Sequence, residues 1–429
     1  MKNNLKKRIY KIIDDLAGNI IAFGEKIKNI PETGFCEYKT SKEIRDLFRY
    51  YQIPYYHGKA ITAIKGRILC KAPEPRIGII GEMDALPAPQ GCKHSCGHYV
   101  EIAILLGTAI AFKTSGIYKE LCGTMDFFAV PAEEFVNIEE RMKLRDANKI
   151  KFISGKAELI RLGEFDNIDM AILVHPGDGE LGNRILLGGR TLGFILKKVK
   201  FFIKCDREPL SLKENPLNIA LSLVGDINSR VRNQKDKDGV WVVPSIKEIH
   251  SFRTAFPQES EVEILIKGED IPALLRLSKK LDSIIKEKKL KSGMGVIIQD
   301  YPGHFPLYQD RILTRLFYEN AADLIGKSNI LMKEILPDTT DLGDLSSFMP
   351  VIHPLTGGME GIRHNEDYQV KDPYFAYIIP IKILAGTLID LLTEKSIFAR
   401  VIKNKYKPVF SKERYIELQN SIFKRQIYL

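Results

Sequence analysis

Tryptophan occurs once and histidine only eight times in 429 residues. No stretch of about eighteen uncharged apolar residues is present, which argues against a membrane-spanning helix and leads to the expectation of a soluble globular chain. The start, Met1-Lys-Asn-Asn-Leu-Lys-Lys-Arg8, is basic, but Lys11, Asp14 and Asp15 interrupt the apolar run after it, which the core of a signal peptide would not tolerate. The six cysteines (Cys36, Cys70, Cys92, Cys96, Cys122, Cys205) lack the spacing of a disulfide framework, so a reducing, cytoplasmic compartment is expected. Cys92 and Cys96 could open a zinc knuckle, but no second such pair follows. The net charge is +10, yet the excess is spread, thickening only at Lys279 to Lys291 and after Lys395. A nucleic-acid binder would concentrate its basic residues on one face among aromatics, so neither nucleic acid nor membrane is expected as a partner.

What is present centres on Gly81 to His98. The short β-branched run Ile77 to Ile80 reads as a strand, and Ile102, Ala103, Leu105, Leu106, Ala109 and Ile110 recur at helical spacing. Between them lies a loop rich in metal-ligand residue types, in which Cys96 and His98 flank one glycine. Backbone amides at the start of the following helix would favour the thiolate form of Cys96. Two further apolar strands end in similar residues: Thr124 to Val130 stops at Pro131 just before Glu133 and Glu134, and Ile168 to Val174 runs into His175. In an open α/β sheet such strand ends face one crevice, so Cys96, His98, Glu133, Glu134 and His175 are expected to converge. A bland alternative stands beside each: a buried thiol in a turn, two solvated acids, a histidine capping a strand.

The rest of the chain supplies the frame. Residues 8–30 read as a helix; Thr40-Ser-Lys-Glu43 resembles a capping box opening a second helix to about Tyr51; Ala60 to Ala72 looks like a strand pair around Gly66. Phe194 to Lys204, Pro216 to Val231, Val240 to Ile249, Val262 to Lys267, Pro272 to Lys288 and Val296 to Asp300 form a βαββαβ-like, ferredoxin-like α+β insertion. Asp338 to Ser346 is a loop leading into a helix, and the Gly-rich stretch from Gly357 delivers His364. Phe375 to Leu392 is an apolar helix closing the first domain. The expected division is a discontinuous catalytic domain (1–189 and 304–395), an inserted domain (190–303) and a basic C-terminal extension (396–429).

Taken together the motifs resemble the aminoacylase and carboxypeptidase family of dinuclear metallohydrolases, and most of all its amidohydrolase branch, with hippurate, auxin-conjugate and aminobenzoyl-glutamate hydrolases. Pro31-Glu-Thr-Gly-Phe35 resembles the branch's PELGF, Met83-Asp-Ala-Leu-Pro87 its MDALP, His94-Ser-Cys-Gly-His98 its HACGH, and Pro131-Ala-Glu-Glu134 its PAEE. Asp338-Thr-Thr-Asp-Leu-Gly-Asp344 is similar to its STDxGD segment. The resemblance implies a mixed-sheet metallopeptidase-like catalytic domain with an inserted dimerisation or lid domain, and a homodimer through residues 190–303. It further implies two divalent metal ions on Cys96, His98, Glu134, His175 and His364, with Glu133 as general base and Asp84 orienting a ligand imidazole. Thiolate and imidazole donors suit zinc, manganese or nickel. The chain departs from the branch at Tyr99, at Phe135-Val-Asn137 and at Lys204 to Glu208, where relatives carry a histidine thought to help hold the oxyanion. The activity so implied is hydrolysis of the amide bond of an N-acyl amino acid or small dipeptide. The alternative is a catalytically silent relative that keeps the fold for binding or assembly.

Overall fold

The computed structural model describes residues 2–203, 215–231, 239–250, 257–336 and 338–429. They form two compact units: Met1–Gly189, Tyr308–Leu336 and Asp344–Phe410 in the first, Arg190–Leu307, Pro337–Gly343 and Ser411–Leu429 in the second. Both are mixtures of helix and sheet, in keeping with the α/β class.

The first unit is built on a six-stranded mixed sheet in the order Tyr55–Lys59, Ala63–Leu69, Thr124–Val130, Arg76–Glu82, Met170–Leu173, Val351–Ile352. Arg76–Glu82 runs parallel to both of its neighbours, and Ala63–Leu69 is antiparallel to both of its own. Every residue of Thr124–Val130 is buried, as an interior strand covered on both faces requires. The helix His98–Ser115 is buried continuously from His98 to Phe112. It lies against the strand Arg76–Glu82 and against the helices Lys2–Lys28 and Ile379–Leu392, so no side of it needs to be polar. Gly107 permits that close approach, since a Cβ there would lie 2.5 Å from Ile381 Cδ1. Tyr374–Leu392 is long and apolar enough to cross a membrane, but 94% of that stretch is buried inside the protein, the mark of a core helix.

Several local expectations are corrected. The second helix starts at Tyr38, ahead of Thr40, because the Glu32 carboxylate accepts the amides of Lys39 (3.0 Å) and Thr40 (2.9 Å) in place of a capping box. The first helix likewise begins earlier, at Lys2. Gly66 is the middle of one strand rather than a turn; it is there because a Cβ would lie 2.7 Å from the Phe48 ring. His175 is not at the end of the Met170–Leu173 strand itself: His175–Pro176 forms a separate two-residue strand paired in parallel with Leu355–Thr356.

The second unit is a five-stranded antiparallel sheet in the order Val240–His250, Glu259–Gly268, Gly193–Phe202, Gly295–Pro302, Lys424–Tyr428. Its first four strands and the helices Pro216–Arg230 and Ile271–Ser292 follow one another in the βαββαβ succession of the ferredoxin-like arrangement. Both helices open as their sequences dictate, with a proline in the first turn and a side-chain cap: Asn215 Oδ1 accepts from Leu217 N at 2.9 Å, and Asp270 Oδ1 from Ala273 N at 2.7 Å. The tail is not a simple extension. The helix Ile397–Lys405 buries Ala399 and Ile402 in the first unit's core, whereas Lys412–Ile422 and the strand Lys424–Tyr428 belong to the second unit. Lys204 to Glu208, where the lid histidine of relatives is replaced, lies outside the described residues.

Candidate metal centre

The centre is assembled at the carboxyl ends of parallel strands in the first unit. Arg76–Glu82 delivers Glu82 and Asp84, and Met83 N donates to Val130 O at 2.9 Å, which keeps the two strand ends together. Gly97, with φ of +102°, then turns the chain into the helix that begins at His98; a side chain there would collide with Pro176, 2.4 Å from the Cβ position. Cys96 and His98 therefore face the same interior. On the neighbouring strand, Pro131 and a left-handed Ala132 (φ +56°) lead to Glu133 and Glu134. The amides of these two glutamates donate to the two oxygens of the buried Asp84 carboxylate, at 3.2 and 2.9 Å.

Cys96 sits between two donor sets. Its sulfur is 3.4 Å from His175 Nε2 on one side and 3.4 Å from His364 Nε2 on the other. His364 Nε2 is also 3.4 Å from Glu134 Oε1. Cys96, His98 and His175 bring their ligand atoms within 4.8 Å of one another, as do Cys96, Glu134 and His364. Thus all five residues expected as ligands come together, and Glu133 lies beside them with an oxygen 4.0 Å from His98 Nε2. His364 arrives by a different route: its left-handed backbone (φ +71°) is held where His364 N donates to Ser95 O at 2.7 Å.

The role expected of Asp84 is met by its backbone more than by its carboxylate. His98 Nδ1 lies 2.8 Å from the Asp84 carbonyl oxygen and 3.3 Å from Oδ1, whose main work is to bracket the two glutamate amides. Other residues were not legible beforehand. Glu82 Oε2 is 3.1 Å from His98 Nε2, Lys156 pairs with its other oxygen, and Glu101 Oε1 is 3.5 Å from His175 Nε2. Arg141, 1% exposed, donates to Ile153 O at 2.7 Å and to Glu134 O. Glu101 follows His98 by three residues on one helix, a same-face spacing that could have flagged it. Lys156 comes from a distant segment, and Arg141 from the helix that follows Glu134; neither carries a local signal.

Electrostatically the cluster is dominated by buried acids. Burial, with Glu134 beside it, pushes the Cys96 thiol well above its usual range, so the helix start does not supply the thiolate as expected; a neighbouring cation would have to. Burial likewise raises the Glu134 carboxyl, and burial together with Glu82 raises that of Glu101. Burial lowers His175 far below the ordinary imidazole range, which leaves it neutral with a lone pair to share. Glu134 Oε1 and Glu101 Oε1 are buried and make no hydrogen bond. The neutral His175 imidazole, a shared thiol and buried acids with unused lone pairs fit divalent transition-metal ions.

Similarity to known proteins agrees with this geometry. No family model matches the chain. A human Xaa-Arg dipeptidase is 23% identical, over 96% of this chain and 94% of its own length. An N-acyl-L-amino acid amidohydrolase of Geobacillus stearothermophilus is 25% identical over 40% of this chain and 44% of its own. Among solved structures, the Bacillus subtilis YXEP protein, described as a dinuclear metal binding peptidase from the M20 family, superposes with a TM-score of 0.66. It covers 90% of this chain and 100% of its own at 19% identity, a likeness of fold.

Proposed function

As a homologue of the aminoacylase and carboxypeptidase metallohydrolases, this chain is, we propose, an amidohydrolase that cleaves a linear amide in an N-acyl amino acid or dipeptide at a two-metal centre. One observation carries the reading: two donor sets, one with His98 and His175 and one with Glu134 and His364, share the sulfur of Cys96, while Glu133 lies within ligand reach of His98 and Glu134 beside them. The roles proposed are ligation by Cys96, His98, Glu134, His175 and His364, and general base catalysis by Glu133. Two zinc, manganese or nickel ions held there would polarise the amide carbonyl and acidify water.

The chain's own groups account for the remaining steps. Glu133 accepts the proton of the attacking water and returns it to the departing amine, which leaves as a neutral group. Asp84, fixed by the amides of Glu133 and Glu134, keeps the two carboxylates pointed apart, and its carbonyl holds the His98 ring with Nε2 turned inward. Arg141 ties Glu134's carbonyl to the loop at Ile153 and holds the turn closed.

The test is turnover of a panel of N-acyl amino acids and dipeptides by purified protein with added manganese or zinc. Bound metal with no turnover of any substrate would favour the silent-relative reading instead. Association as a homodimer through the inserted unit is also proposed. Its outer strand Val240–His250 has a free edge among the described residues, whereas the opposite edge is covered by Lys424–Tyr428. Sedimentation at micromolar concentration should give twice the monomer mass, and a monomer would refute it. A cytoplasmic location is proposed on the scattered cysteines, and fractionation of cells would test it.

A further inference from the structure

We infer that Glu101 is a sixth protein ligand, and that the ion shared by Cys96, His98 and His175 sits in a pocket completed by this carboxylate with Glu82 alongside. The inference rests on the two-metal reading above. Glu82, His98, Glu101 and His175 are all buried, and one ligand atom from each lies within 4.8 Å of the others. A cluster of acids alone would not make a site; the orientation of the donors does.

Both imidazoles have their tautomer set by a backbone carbonyl. His98 Nδ1 is 2.8 Å from Asp84 O, and His175 Nδ1 is 2.6 Å from Pro176 O. A carbonyl oxygen only accepts, so the ring proton of each lies on Nδ1 and the lone pair on Nε2 points inward. What those lone pairs meet are acceptors: Glu82 Oε2 at 3.1 Å from His98, Glu101 Oε1 at 3.5 Å and Cys96 Sγ at 3.4 Å from His175. Lone pairs held this close repel unless a proton or a metal ion is shared among them. Glu101 is moreover aimed deliberately. Its Oε2 accepts the amide of Glu82 at 3.0 Å, which leaves Oε1, buried and without a hydrogen bond, turned towards His175. Glu82 is anchored in the same manner, with Lys156 holding one oxygen and the other facing His98.

The consequence is an asymmetric centre. The half made by Cys96, Glu134 and His364 has three protein donors, of which His364 is exposed. The other half gains a carboxylate oxygen as its fourth protein donor, and manganese, cobalt and zinc all accept such a mixed set. Glu101 is thus assigned to holding and tuning the buried ion, with no contact to substrate required.

Cobalt(II) alone is the probe, read by elemental analysis after dialysis and by visible absorption. Wild type should retain two equivalents. Glu101→Gln should keep one equivalent and the thiolate charge-transfer band of Cys96, while affinity for the second falls. Losing an outer-shell partner typically costs about 10- to 100-fold in metal affinity, so loss of a direct ligand should exceed about 100-fold. Retention of both equivalents with unchanged spectrum and affinity in Glu101→Gln would remove Glu101 from the ligand set and leave the amidohydrolase reading intact. Wild type that takes up no cobalt would sink that reading itself.

Discussion

Each unit buries a cluster of charges, and the two clusters solve different problems. In the second unit Lys197, fully buried, lies 2.6 Å from Asp300 and 2.5 Å from Asp282, with Ser278 Oγ 3.5 Å from the other oxygen of Asp300. The cation is surrounded by its own acceptors. In the first unit Cys96, Glu82, Glu101, Glu133 and Glu134 crowd around His98 and His175, and Lys156 is paired with Glu82. Unused acceptors persist there, on Glu101 and Glu134. A buried lone pair without a partner costs about 1–3 kcal/mol, so a fold retains several in one place only if something outside the chain completes them. The contrast separates a structural ion network from a binding site more sharply than burial does, because both are buried.

Removing the completing ions tests the contrast most severely. Exhaustive chelation should abolish amide hydrolysis, and manganese, zinc or nickel should restore it; Cys96→Ala should bind less metal and recover nothing. Full activity after chelation, with no metal by elemental analysis, would break the comparison outright. Next in size is Glu133→Gln, which keeps the shape but loses the base. General-base loss costs about 100- to 10,000-fold in rate, and metal content should stay at the wild-type level. Glu134→Gln, by comparison, should lose metal and activity together.

The second unit should respond in stability instead. Lys197→Ala leaves Asp282 and Asp300 facing each other without their cation, and breaking a buried ion pair from one side costs about 3–5 kcal/mol. Chemical denaturation should show this as a lower midpoint, with metal uptake by the remaining protein unchanged. Were Lys197→Ala to lose metal while keeping its stability, the two clusters would not be the distinct devices described.

How much of this was readable in advance follows from range. The insertion was legible nearly strand by strand, since Glu259–Gly268 alternates in burial along its whole length and Pro216 and Pro272 mark helix starts. The strand Arg76–Glu82 and the convergence of Cys96, His98, Glu133, Glu134 and His175 were legible because each residue closes a short apolar run. Glu32 replacing a capping box, Gly66 making room for Phe48 and Lys156 reaching Glu82 were not, because each depends on a partner outside its own helix or strand. The extra ligands belong to the same class. Glu101 has a spacing signal, but a glutamate on an apolar helix is unremarkable until the histidine lone pairs opposite it are seen.

The smallest effect distinguishes acids completed by metal from an acid completed by a proton. Glu37 is fully buried; Ala132 N donates to its Oε1 at 2.9 Å and the Thr62 hydroxyl to its Oε2 at 2.6 Å, and it is not among the donor groups around Cys96. Burial, aided by the charge of Asp84, pushes its carboxyl up from 4.5 to about 8. A folded pKa above the unfolded one means that the native state holds the proton more tightly. Its contribution is therefore fully present below pH 4.5 and is lost as the pH rises through about 8. One such group gives a slope of at most about 1.4 kcal/mol per pH unit. Glu37→Gln imitates the neutral acid, with the amide oxygen kept on Ala132 N and the amide nitrogen turned to the Thr62 hydroxyl. Thermal unfolding of metal-loaded protein across that range should show the wild-type melting temperature falling with pH relative to the variant, and the two curves meeting at the acid end. Parallel curves would mean that Glu37 is ionised in the fold, and that the first unit tolerates a buried carboxylate with neither metal nor proton to complete it.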